Sequence, residues 1–129
     1  VSKIGICIKN SSEFNLLHLK DGVMEKLFSG ELSESLLKLD VTILTRLIFM
    51  EILGFDQARL DNASLIDYSS NNEDAVEEVI SGRADMGFIL NATKIDQVKQ
   101  IAEERLTMPR KSTYFYPKVI TGQVLNRLY

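Results

Sequence analysis

The sequence predicts an α+β fold: a mixed β-sheet with helices packed on at least one face. Three observations predict it. The chain opens on an alternating apolar run, carries one broad apolar helical stripe, and then repeats a strand–helix grammar twice. With 129 residues, of which 45% are apolar and 26% charged, it suits one domain spanning 1–129 with a sizeable core.

Lys3 to Lys9 alternates Ile4, Ile6 and Ile8 against Gly5, Cys7 and Lys9, the period of a half-buried strand. Asn10, Ser11 and Ser12 are turn formers, and Phe14 to Lys20 reads as a second strand, so the pair predicts an antiparallel hairpin. Asp21 to Leu37 predicts short helical turns broken at Gly30. The stretch LDVTILTRLIFMEILGF spaces Val41, Leu44, Ile48 and Ile52 for a core helix, with Asp40 as its N-cap and Gly54 as its C-cap.

SLIDY, Ser64 to Tyr68, reads as a strand and leads into a helix capped at Asn72 and ended by Gly82. Ala75, Val76, Val79 and Ile80 would face inward from that helix. DMGFIL, Asp85 to Leu90, reads as another strand before the helix KIDQVKQIAEER, with Thr93 and Asp96 as a near capping box. Ile95, Val98, Ile101 and Ala102 form the buried face of that last helix. This βαβα unit implies a parallel strand pair joined by a right-handed crossover, which with the hairpin makes the sheet mixed.

Composition narrows the functional classes. No run approaches the roughly 18 apolar residues of a membrane span. The single cysteine, Cys7, lies in an alternating apolar run as a buried structural thiol, consistent with a reducing, cytoplasmic setting. No glycine-rich phosphate loop, CxxC, HExxH or EF-hand spacing occurs, so no metal site and no cofactor are expected. His18, the only histidine, shares a strand face with Phe14 and Leu16 and reads as structural. Asp67 and Asp85 would stand at opposite ends of parallel strands, too far apart for a catalytic pair.

One stretch departs from the rest: TMPRKSTYFYPK, Thr107 to Lys118, holds both prolines, three consecutive aromatics and three cations without an acid. The net charge is −3, yet no Asp or Glu follows Glu104, and Arg105, Arg110, Lys111, Lys118 and Arg127 give the final stretch +5, leaving −8 before it. A basic tail on an acidic body argues against nucleic acid as partner and fits either a small anion or the tail packing on the acidic body. Pro109 stops the preceding helix. Arg110, Lys111, Ser112 and Thr113 then supply charge, hydroxyls and free amides, the donor set that phosphate or carboxylate needs. The alternative for this stretch is a turn followed by aromatic packing.

The runs MPRKSTYFYPKVITG, LDVTILTRLIFMEILG and ADMGFILNATKIDQVKQIAEE resemble the C-terminal part of the bacterial and archaeal family of unknown function numbered 1015. The likeness runs from Ile4 to Leu128. Its signature falls on Met108, Pro109, Lys111, Ser112, Thr113, Tyr114, Phe115, Tyr116, Pro117, Lys118, Thr121 and Gly122, on Leu39, Asp40, Val41 and Leu44, and on Asn91 and Thr93. Ala92 stands where proline is expected, and Gln123 where an apolar residue is expected. Members of that family are several times longer, which together with the start at Val1 implies a C-terminal fragment whose missing N-terminal region is a partner. The resemblance also implies a cytoplasmic setting, and some members carry a ParB-like label.

The resulting expectation is a domain binding a small anionic metabolite, phosphorylated or not, or completing the site of a longer protein. Lys111, Lys118 and Arg110 would neutralise the anion, Ser112 and Thr113 orient it, and Tyr114 or Tyr116 donate to it, with Asn91 at a strand's C-terminal end nearby. The alternatives are the catalytic part of a small-molecule phosphoryl-transfer enzyme, whose general base would lie outside this chain, and a ParB-like nucleic-acid-associated protein. Whether the chain is an enzyme is left open by its residues.

Overall fold

The computed structural model describes residues 2–110 and 112. The fold is α+β, built on a three-stranded sheet in the order β2–β1–β3. Strand β1 (Lys3–Ile8) lies in the middle and pairs antiparallel with β2 (Phe14–His18), in a register that sets Lys3 against His18 and Cys7 against Phe14. Asn10 takes the left-handed conformation at φ 65°, which an asparagine tolerates and the tight turn requires.

The second half of the sheet departs from the expected topology. SLIDY forms no strand: residues 64–68 are turn and irregular chain, held by the Asn62 side chain, whose Oδ1 accepts from Ser64 N at 2.9 Å. Strand β3 (Met86–Ile89) instead pairs with β1, antiparallel, placing Gly5 against Ile89 and Cys7 against Gly87. The described sheet is therefore wholly antiparallel, and no parallel crossover forms within it. SLIDY has the β-forming residues but pairs with no strand, and a strand without a ladder leaves its backbone unsatisfied.

The expected helical turns before residue 37 are α1 (Val23–Phe28) and α2 (Glu34–Leu37). The apolar stripe that follows begins as α3 (Asp40–Thr42) and widens into a π-helix, π1 (Ile43–Ile52). Its wider winding shows at the end, where Leu53 N donates to Ile48 O at 2.9 Å, an i→i−5 bond. Gly54 closes it at φ 72°. Asp40 is the first residue of the helix and not its cap: Leu39 holds the cap position, and the Asp40 carboxylate is engaged elsewhere.

Helix α4 (Gln57–Leu60) is capped by Asp56, whose Oδ1 accepts from Arg59 N at 2.9 Å. Helix α5 (Asn72–Ile80) starts one residue beyond its cap, Asn71, and α6 (Ile95–Glu103) beyond Lys94. At α6 the Gln97 side chain accepts from Lys94 N at 2.9 Å; a lysine cap has no acceptor to return, so the expected Thr93–Asp96 pairing is replaced by this one-sided bond. Both helices bury less than their periodicity suggests. Val79 and Ile101 are buried, whereas Ile80 and Ile95 stand in solvent.

Both faces of the sheet are used. Ile4, Met24, Phe28, Leu37 and Ile43 form the main core, joined from the sheet by Phe88 and from π1 by Leu44, Leu47 and Ile48. On the other face α5 packs on β3 so closely that a Cβ on Gly87 would lie 2.8 Å from Cys7 Sγ and 3.0 Å from Val79 Cγ2. Only glycine fits there.

Candidate functional site

The wall of the site begins with π1. Polar residues interrupt the apolar stripe at Thr42, Thr45 and Arg46, and with Phe49 they share one side of the helix. Facing them are Gln57, Leu60 and Asp61 from α4 and its end, then Ile66, Asp67 and Tyr68 from the irregular SLIDY segment. Leu32, Leu36, Thr107, Pro109 and Arg110 complete the lining. Together they enclose a cleft of about 550 Å³, within the range of small-molecule sites.

Its apolar floor is fixed by aromatic contacts. Phe49 stacks on Phe55 with ring centres 5.5 Å apart and meets Phe88 edge-on at 5.4 Å, so the cleft wall is locked to both the chain after π1 and the sheet. Arg46 lies over the Phe28 ring at 5.1 Å and ion-pairs with Glu31, which fixes a guanidinium that is only partly exposed. Arg110 reaches Asp61 Oδ1 at 3.3 Å, an open pair with a largely exposed guanidinium. The two arginines, Asp61 and Asp67 leave the lining itself electrically balanced.

Thr42 is the exception to this satisfied chemistry. It is 4% exposed, and its Oγ1 is the one buried side-chain oxygen or nitrogen without a hydrogen-bond partner among the described residues. A buried hydroxyl left unpaired costs about 1–3 kcal/mol. Here the orphan belongs to a residue that also lines the cleft.

The residues singled out from sequence divide three ways. Arg110 lines the cleft, as do Thr107 and Pro109 beside it. Ser112 is half-buried just beyond: its hydroxyl donates to Pro109 O, and its carbonyl accepts from Thr93 Oγ1 at 2.8 Å, which ties the stretch to the residue preceding α6's cap. Asn91 does not stand at the end of a parallel strand. It follows antiparallel β3, and its amide donates to Lys3 O at 3.0 Å and Asp40 Oδ2 at 2.8 Å. Lys111, Thr113, Tyr114, Tyr116 and Lys118 lie outside the described residues.

His18 lies on the outer, exposed strand. Asp85 pairs with Lys9 at 3.8 Å, while Asp67 belongs to the cleft, so their expected placement on two parallel strands falls with the topology. Sequence reasoning missed most of the cleft. Thr42, Thr45 and Arg46 were its one visible signal, a polar trio at helical spacing in an otherwise apolar stripe.

Among the described residues no three His, Cys, Asp or Glu side chains gather as a metal site, and no helix is long and apolar enough to cross a membrane. Comparisons with protein-family models, with curated proteins and with solved structures give no match.

Proposed function

We propose that this chain is a binding domain for a small anionic metabolite with an apolar body, held in the cleft between π1, α4 and the Thr107–Arg110 stretch. The observation that carries the reading is the largely exposed Arg110 guanidinium on a cleft that Arg46 and Thr42, the residue with the unpartnered buried hydroxyl, also line. Phe49, Leu60 and Ile66 offer apolar surface for the body of the ligand. Arg110 takes the anionic group: its present pair with Asp61 is exposed and worth at most about 1 kcal/mol, so a phosphate or carboxylate binding the guanidinium bidentately can displace it.

The acid-free stretch running on from Arg110, and the resemblance of its motif to the family numbered 1015, support an anionic rather than a cationic ligand. On this reading Lys111, Ser112, Thr113, Tyr114, Tyr116 and Lys118 are the residues that would extend the site, and the domain serves binding within a longer protein.

A thermal-shift screen of phosphorylated metabolites, nucleotides and carboxylates tests this. At least one class should raise the melting temperature of the wild type and shift Arg110→Ala and Thr42→Val less. If no compound stabilises the wild type more than these two variants, the reading fails.

A further inference from the structure

The outer strand β2 presents an unusual edge. All five of its residues are exposed, including Phe14 at 56% and Leu16 at 53%, and FNLLH contains no formal charge and no proline. Soluble proteins ordinarily protect such an edge with lysine, proline or a bulge. No described residue pairs with its outer side.

Backbone bookkeeping shows which groups point outward. Leu19 N donates to Ser2 O at 3.0 Å, continuing the β1–β2 register. Hydrogen-bonded pairs alternate along an antiparallel ladder, so Leu17 and Asn15 also bond inward, toward Ile4 and Ile6. Lys9 N→Asp85 O fits the same alternation, since the odd residues of β1 turn toward β3. The main-chain groups of Phe14, Leu16 and His18 are therefore the outward ones. Side chains of one parity share one face, so these three also stand on the same side of the sheet.

We propose that β2 pairs antiparallel with β2 of a second copy of this chain, with the twofold axis at Leu16. In that register Leu16 meets Leu16 and Phe14 meets His18 on each side, and all three outward residues of each strand find their hydrogen-bond partners. A twofold axis normal to the sheet keeps each residue on its own face, so opposed residues must share parity; this set does. The pairing sets no like charges against each other and joins Ser12 to Lys20 at its ends. Two three-stranded sheets become one of six strands, with Phe14 and Leu16 covered at the seam. The inference is independent of the cleft, which lies on the other side of β1 with π1.

Sedimentation velocity over a concentration series tests it with the wild type and the Leu16→Lys and Leu16→Glu chains, each checked for native circular dichroism. The wild type should pass from one-chain to two-chain mass as concentration rises. Each variant alone should keep one-chain mass, because like charges then face each other at the axis. An equal mixture of the two variants should recover two-chain mass, because opposite charges then meet. A wild type that keeps one-chain mass throughout, with β2 left for another occupant, overturns the proposal. So does a Leu16→Lys chain that dimerises like the wild type, or a mixture that does not recover.

Discussion

Asn91 is bound twice to Asp40: its backbone N–H and its side-chain amide both donate to Asp40 Oδ2, at 3.3 and 2.8 Å. The same amide donates to Lys3 O at 3.0 Å. That carbonyl is next in the alternation by which β1 bonds to β3, so the Asn91 side chain supplies the rung that the departing backbone does not. One residue thus closes the sheet and anchors the start of the helix carrying the cleft wall. The motif residues Asp40 and Asn91, far apart in sequence, meet at a structural joint.

Replacing Asn91 by alanine should therefore lower stability by about 1–2 kcal/mol, read by urea denaturation, since it removes two side-chain bonds, one of them to a carboxylate, at a site open to solvent. Asn91→Asp should cost more at neutral pH, because it sets a second carboxylate against Asp40. An Asn91→Ala chain as stable as the wild type contradicts this role.

Gly87→Ala forces a methyl against Cys7 Sγ and Val79 Cγ2, and a destabilisation of about 1–3 kcal/mol is expected. Cys7→Ala removes one of the two obstructing atoms. The double variant should recover part of the loss, a coupling that chemical denaturation of all four chains measures.

Arg83 Nε donates to both carboxylate oxygens of Glu78, at 3.0 Å each. This hydrogen bonding, aided by the charge of Arg83, holds the Glu78 carboxyl below its ordinary 4.5. A carboxylate depressed in the folded state contributes stability above its unfolded value, lost as pH falls through the folded one. The pair should therefore weaken only in acid. In a carbon-detected titration Arg83→Ala should raise the Glu78 midpoint toward 4.5; an unchanged midpoint would show that the contact is absent in solution.

Thr42→Val removes the orphan hydroxyl while keeping its shape. With no ligand present the substitution should be neutral or stabilising by up to about 1–2 kcal/mol, because an unpaired buried hydroxyl is lost without a broken bond. A clear destabilisation of the ligand-free chain would mean that the hydroxyl is already bonded.

Local patterns proved legible in the sequence, and the long-range pairing did not. Alternation around Ile4, Ile6 and Ile8 marks the central strand, and Gly54 and Gly82 mark the helix ends where positive φ is required. SLIDY shows the limit: its residues favour a strand, but strand formation depends on long-range pairing that local sequence does not encode. β3 takes the place beside β1 instead. The π winding of Ile43–Ile52 was equally hidden, since a broad apolar stripe fits an α-helix as well. Of the candidate cleft, only Arg110 and its neighbours were legible. The motif containing Arg110 led to one wall, while Asp61, Ile66 and Tyr68 reach the cleft through turns that carry no periodic signal.

The central claim is that Arg110 binds an anion by exchanging Asp61 for it. Isothermal titration of the best-stabilising anion into the wild type, Asp61→Asn and Arg110→Ala tests it most directly. Removing the competing carboxylate should tighten binding several-fold, and removing the guanidinium should weaken it about ten-fold or more, since each charge-assisted hydrogen bond lost is worth about 1.5–3 kcal/mol. Equal affinities for all three chains, or weaker binding by Asp61→Asn, would contradict the account.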